Sequence, residues 1–230
     1  AVGINLLLGP PLEVLLEPRP DLGDAGVQTF GGDPHWVSRM ARAYLSGLAE
    51  GSEGRLLVVP GAFPGEGRAY GREERVAILT REDLAAFDLV PFITLMRTST
   101  ESGRPLLRAV QVSTMRVRGF GGSAQEWTRP LTVDGAALGA LLTLPEIKAW
   151  REGGGVLVSP PLGHPVIRNL YADERGEVDF RRAALEAFLA GNDLIWLGAL
   201  HPDPQESARQ AAAVIALFQE KYSTDLAFQN

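Results

Sequence analysis

The sequence predicts an α/β fold on parallel strands, and three observations carry that expectation. Short apolar runs fit strands buried on both faces. They lie at Ile4 to Leu8, Leu56 to Val59, Leu106 to Val112, Val156 to Val158 and Leu194 to Leu197. Segments of helical period separate them, and right-handed crossovers are the usual way to join parallel strands. No repeat or low-complexity linker interrupts the alternation, so residues 1–230 are expected to form a single domain. Periodicity alone leaves two architectures open, a barrel and an open doubly wound sheet.

Each helix has its own signals. The first opens at Asp33-Pro34, as N-cap and first helical residue, and carries Trp36, Val37, Met40, Ala41, Tyr44, Leu45 and Leu48 as one stripe to about Gly51. The second opens at Thr80 with Asp83 three residues on, and Pro91 is expected to bend or end it. The third starts near Asp134 with Leu138, Leu141 and Leu142, and Pro145 restarts a short helix through Ile147 and Trp150. The fourth, Phe180 to Ala190, stacks Phe180, Ala184, Leu185, Phe188 and Leu189 and stops at Gly191, a residue suited to the left-handed position after a helix. The last, from about Gln205 to Tyr222, is expected to turn Ala208, Ala211, Ala212, Ile215 and Phe218 inward.

Composition narrows the function classes. The chain is 45% hydrophobic and 22% charged, which is ordinary for a globular domain. A net charge of -6 with scattered arginines gives no basic stripe for nucleic acid. Without cysteine there is neither a disulfide nor a thiolate metal site, and the compartment stays open. No apolar run reaches the ~20 residues that cross a bilayer. The chain begins directly in a strand without a basic leader, so its start reads as a truncation or processing point.

Six stretches in order resemble the family 3 glycoside hydrolases, and the resemblance spans nearly the whole chain. Leu8-Gly9-Pro10-Pro11-Leu12-Glu13-Val14 and Gly26-Val27-Gln28-Thr29-Phe30-Gly31-Gly32-Asp33-Pro34 resemble that family's fourth strand and following loop, with P-x-x-D-V and R-S-F-G-x-D-P patterns. Phe63-Pro64-Gly65-Glu66-Gly67 resembles the K-H-F-P-G-H-G signature of its β-N-acetylglucosaminidase branch. Val112-Ser113-Thr114-Met115, Gly155-Val156-Leu157-Val158-Ser159 and Ala190-Gly191-Asn192-Asp193-Leu194-Ile195 are similar to the sixth, seventh and last strands. The resemblance implies a parallel (β/α)8 TIM-barrel type, with about five of the eight strand-helix units in this chain and the first three absent.

The same resemblance implies a degenerate site. Family members use an aspartate after the seventh strand as nucleophile of a retaining hydrolysis, with a separate proton donor. At that position this chain has Pro160, which carries no acid. Gln28 stands for the loop arginine, Gly61 and Ala62 for the lysine-histidine pair, Glu66 for the second histidine, Thr114 for the sixth-strand histidine and Glu13 for the turn aspartate. The loop Arg68-Ala69-Tyr70-Gly71-Arg72-Glu73-Glu74-Arg75 holds no histidine for the mobile acid, and its carboxylates read as a solvated face.

Glu13 and Glu66 remain as candidates for a relocated acid pair, since both follow barrel strands at the end where active sites form. The plainer expectation is that each pairs with an arginine or a backbone amide. His35, His164 and His201 lack a metal-ligand spacing, no cofactor motif follows a strand, and His164 is read as a turn residue that could line a pocket. Among Trp36, Trp127, Trp150 and Trp196, Trp127 is the favoured sugar platform, while Trp36 and Trp150 are placed against the sheet. Three functions follow: a non-hydrolysing carbohydrate-binding, regulatory or scaffolding barrel; an active retaining glycosidase with a rearranged site; and a structural subunit. The last would complete its barrel with a partner chain or by self-association through its open edges.

Overall fold

The computed structural model describes residues 3–15, 29–67, 76–78, 81–101, 103–118 and 129–229. The five foreseen strand segments lie side by side and parallel. β1 (Leu6–Pro11) pairs with β2 (Leu57–Gly61), and β4 (Ala109–Gln111) pairs with β6 (Val156–Val158). A parallel bridge between Phe63 and Val112 joins the two ladders, and another between Val158 and Leu194 adds the last segment. The resulting arc does not close into a complete barrel among the described residues. A second parallel pair, β3 (Val76–Ile78) with β5 (Arg116–Arg118), was not foreseen; at three residues each, such strands leave no periodic signal.

The arc is apolar on both faces because its side chains alternate. Val110 and Leu157 point into the main core, which contains Leu12, Phe63, Phe92, Leu107, Leu138 and Trp150. Val59, Ala109 and Val158, one residue out of phase, form a separate layer on the other face with Leu57, Val156 and Trp196 packed against it. The edge positions are less covered: Ile4 is 68% exposed and Leu194 42%.

The helices begin where the caps predict. α1 (Pro34–Gly51) is capped by Asp33, whose Oδ1 accepts the Trp36 N–H at 2.6 Å. Its buried line is Val37, Ala41 and Leu45, at four-residue spacing; Trp36, Met40 and Tyr44, expected inward, lie on its exposed flank. A helix in an outer layer touches its neighbours along a narrow strip, and Trp36 instead takes the Arg39 guanidinium over its ring while Tyr44 meets Phe30.

The next helical stretch shows the effect of Pro91. A turn at Arg81–Asp83 widens into a π segment, Leu84–Asp88, in which the Leu89 N–H reaches the Leu84 carbonyl at 2.9 Å. Regular helix restarts as α2 (Val90–Met96), with Pro91 in its first turn, where no N–H is needed. α3 (Gly135–Leu142), α4 (Pro145–Glu152) and α6 (Phe180–Leu189) follow the expected bounds, and Trp150 is buried with its indole N–H on the Leu107 carbonyl. After α6, Gly191 takes φ +115° and its N–H bonds the Phe188 carbonyl.

Two helices depart from expectation. α5 (Pro165–Tyr171) was not foreseen, and only His164 was read, as a turn residue; His164 is the cap, its Nδ1 accepting the Val166 N–H at 3.3 Å, and Pro165 in the first turn was the unused signal. α7 (Pro204–Thr224) buries Val214, with Ala211 and Phe218 half-covered, so Ala208, Ala212 and Ile215 face outward. The rotation is set by Phe218, which packs edge-on against Phe188 and Phe228 of the terminal α8 (Leu226–Gln229). Phe188 thereby takes the inward place, and Leu189 is left exposed.

A polar clasp ties α5 to α6. Glu186 accepts hydrogen bonds from Arg129, Arg182 and Tyr171. Burial opposes ionisation of Glu186, but these donors outweigh it and bring the carboxyl from its ordinary 4.5 down to about 2. Burial first, and then the bond to Glu186, push the Tyr171 phenol above its usual range.

A carboxyl whose folded pKa is depressed stabilises fully above its unfolded value and loses that contribution as pH falls toward the folded one. Wild-type melting temperature is therefore expected to fall more steeply between about pH 4.5 and pH 2 than that of Glu186→Gln. Parallel melting curves for the two proteins over that range would refute the clasp.

Candidate functional site

All five parallel segments end on the same side, and the residues just past those ends enclose a cleft of about 320 Å³. Leu8, Gly9, Pro11 and Glu13 come from the end of β1; Gly61, Ala62 and Glu66 from β2; Gln111, Val112 and Thr114 from β4; Pro160, Pro161 and His164 from β6; and Trp196 from the last segment. The topology thus brings together Glu13, Gly61, Ala62, Glu66, Thr114, Pro160 and His164, which sequence reading had singled out separately. Gln28, Trp127 and the 68–75 loop with Glu73 and Glu74 lie outside the described residues. His35 and Trp36 lie on α1 and His201 precedes α7, and none of the three lines the cleft.

The lining is held by side chains that continue the strand ladder beyond its backbone bonds. Leu12 N–H donates to the Gly61 carbonyl at 2.6 Å, and one residue later Glu13 Oε1 accepts the Ala62 N–H at 2.7 Å. Phe63 exchanges backbone bonds with Gln111 and Ser113 at 2.6 and 2.8 Å. Glu66 Oε1 then accepts from the Ser113 hydroxyl at 2.7 Å, the Thr114 N–H at 3.0 Å and the Thr114 hydroxyl at 3.3 Å. Beyond β6, Ser159 Oγ accepts the Trp196 N–H and donates to the Pro160 carbonyl, both at 2.9 Å.

These ties explain why both carboxylates are buried, Glu13 at 5% and Glu66 at 7% exposure. A buried carboxylate needs donors, and backbone amides at strand ends supply them. The expectation that each glutamate would pair with an arginine or a backbone amide is met, for Glu13 by Ala62 and for Glu66 by Thr114.

Further ties fix the rim. Asp193 accepts the Leu157 N–H at 2.7 Å and pairs with Arg151, which clamps the last segment beside β6. The turn after Pro161 leaves no room for a side chain at Gly163, where a Cβ would lie 2.1 Å from the Ala199 carbonyl oxygen. Among the described residues no group of three or more acidic, histidine or cysteine side chains is arranged to hold a metal ion.

Sequence reading missed Gln111 as a lining residue and ranked Trp196 below Trp127. A signal existed for the first: a polar residue inside the apolar run Leu106 to Val112, just before its end, marks a place where the strand is not packed by apolar neighbours. Its side chain stands where Gly61 makes room, since a Cβ at Gly61 would lie 3.0 Å from Gln111 Oε1.

Over 144 residues the chain is 33% identical to the β-hexosaminidase LpqI of Mycobacterium tuberculosis, and equally to that of Mycobacterium bovis; the match covers 62% of this chain and 33% of each relative. The chain is related to the family 3 β-N-acetylhexosaminidases. It spans about a third of the length of these curated relatives. No family model matches it.

Solved structures agree on the fold. A fungal multi-domain GH3 β-N-acetylglucosaminidase superposes with a TM-score of 0.71 at 22% identity, over 98% of this chain and 24% of that one. A family 3 β-N-acetylglucosaminidase from Paenibacillus gives 0.63 at 21%, over 99% and 41%, and Mycobacterium tuberculosis LpqI gives 0.66 at 24%, over 95% and 55%.

If Glu13 and Glu66 serve as ties, their amide variants should be tolerated, because an oxygen acceptor remains. Removing the acceptor leaves buried donors unsatisfied, at about 1–3 kcal/mol each. Urea unfolding should place Glu66→Gln within about 1 kcal/mol of wild type and Glu66→Ala well below it. Equal stability of the two variants would contradict the role.

Proposed function

We propose that this domain binds a carbohydrate in the cleft at the strand ends and does not hydrolyse it. Pro160 carries the proposal. It lines the cleft at the position that the family resemblance assigns to the attacking aspartate. A retaining mechanism needs one carboxylate to form a glycosyl ester and a second acid about 5 Å away to protonate the leaving oxygen. Proline supplies neither, and loss of a nucleophile lowers turnover by about a millionfold even where the rest of a site is intact. The kinship with β-N-acetylhexosaminidases supports a sugar as the ligand, and the cleft holds its shape through the ties of Glu13, Glu66 and Ser159.

One observation favours a second reading. Glu13 and Glu66 line the same cleft, so an acid pair displaced from the usual strand is chemically conceivable. Against it stands the use of each carboxylate as an acceptor for the ends of neighbouring strands. Donors stabilise a carboxylate's charge and so weaken it as a nucleophile, and moving either group toward a sugar would loosen the walls of the site.

A chromogenic β-N-acetylglucosaminide and a β-glucoside should show no release of nitrophenol above buffer, while ligand-observed NMR detects sugar binding to the same preparation. Turnover that Glu13→Gln or Glu66→Gln abolishes would establish the displaced acid pair instead.

A further inference from the structure

We infer that a pocket at the starting ends of the parallel strands, opposite the cleft, is a second binding site, and that it takes a small amphipathic carboxylate, an anionic group on an apolar body. The pocket measures about 780 Å³. Leu57 at the start of β2, Arg108 just before β4 and Gly155 just before β6 line it, with Met96 from the end of α2 and Glu146 and Trp150 from α4. Ligand sites commonly span ~300–1,000 Å³, so the space suits a small molecule. None of the residues that line it also lines the cleft.

The pocket's apolar surface is held firmly. Leu107 is fully buried and Trp150 is 7% exposed, and the indole N–H donates to the Leu107 carbonyl at 2.8 Å. The Gly155 backbone lies so close to that indole that a Cβ there would fall 2.3 Å from the ring. Around these, Leu57, Met96 and Val156 are half-buried, and each keeps apolar surface that a ligand's body would remove from water.

Charge selects the head group. Among the described residues the charged lining consists of Arg97, Arg108 and Glu146, an excess of positive charge in a chain whose net charge is -6. Arg97 Nη2 donates to Glu146 Oε1 at 2.6 Å, so one of the two guanidinium groups already carries a carboxylate. Arg108 carries none. Its Nη2 donates to the Leu56 carbonyl at 3.0 Å, which ties the side chain across the start of β2, and among the described residues its other N–H groups make no hydrogen bond or ion pair. A guanidinium offers parallel N–H groups that match the two oxygens of a carboxylate. A carboxylate on Arg108 with its body over Leu57, Met96 and Val156 satisfies both the charge and the apolar surface of the pocket. β2, β4 and β6 run from here to the cleft, so such a ligand braces the strands whose far ends form the cleft walls.

The test is NMR of the whole protein with isotope-labelled methionine methyl groups, because the three methionines report on different places. Met96 lines the pocket, Met115 is buried in the main core and Met40 lies on the exposed flank of α1. Titration with octanoate should shift the Met96 signal, assigned by its loss in Met96→Leu, and leave Met40 and Met115 in place. Octanol and octylamine have the same body without the negative charge, and each should bind roughly tenfold more weakly, the effect of losing a hydrogen bond between charged groups. Arg108→Gln should lower octanoate affinity to the level of octanol, and Ala149→Phe, which adds a ring to the pocket from an exposed position on α4, should abolish the Met96 shift. An unchanged Met115 signal shows that each variant is folded. Absence of a Met96 shift with octanoate, octanol binding as tight as octanoate, or octanoate affinity indifferent to Arg108→Gln would overturn the inference.

Discussion

The structure depends on how its parallel strands are held together where their backbone pairing ends. β4 and β6 are three residues long, too short to fix the loops that follow. Side chains take over at that point. Glu13 reaches from β1 to Ala62, Glu66 from the loop after β2 to Ser113 and Thr114, and Ser159 from β6 to Trp196. Each tie joins one strand end to the next, so the cleft walls are an extension of the sheet. In the proposed reading, residues at positions that do chemistry in a hydrolase of this shape serve as parts of a frame.

Much of the fold was legible because the signals were strong and local. Apolar runs located all five strand segments of the arc, since strands covered on both faces must be apolar on both faces. The helix starts at Asp33 and Asp134 and the stop at Gly191 were visible because caps depend on a side chain or a φ that only certain residues supply. Helix rotation was less legible. On α1 and α7 the apolar residues span more than one face, and the choice among them is made by distant partners such as Phe188 and Phe228, which no periodicity reports.

The site divides in the same way. Sequence reading singled out Glu13, Gly61, Ala62, Glu66, Thr114, Pro160 and His164 one by one, and the cleft contains all of them. Gln111 escaped because its importance comes from an absence elsewhere, the side chain that Gly61 does not have. Trp196 escaped because a tryptophan in an apolar segment reads as core. Only the parity of neighbouring strands shows that its ring lies between that core layer and the open mouth.

In the proposed reading position 160 separates a binding domain from a hydrolase, and trapping addresses it without relying on turnover. An activated 2-deoxy-2-fluoro-β-glycoside forms a stable ester with any carboxylate able to attack the anomeric carbon. Intact-protein mass spectrometry after prolonged incubation should show the unmodified chain alone. A mass increase of one fluorosugar, mapped by peptide sequencing to Glu13 or Glu66, would contradict the account.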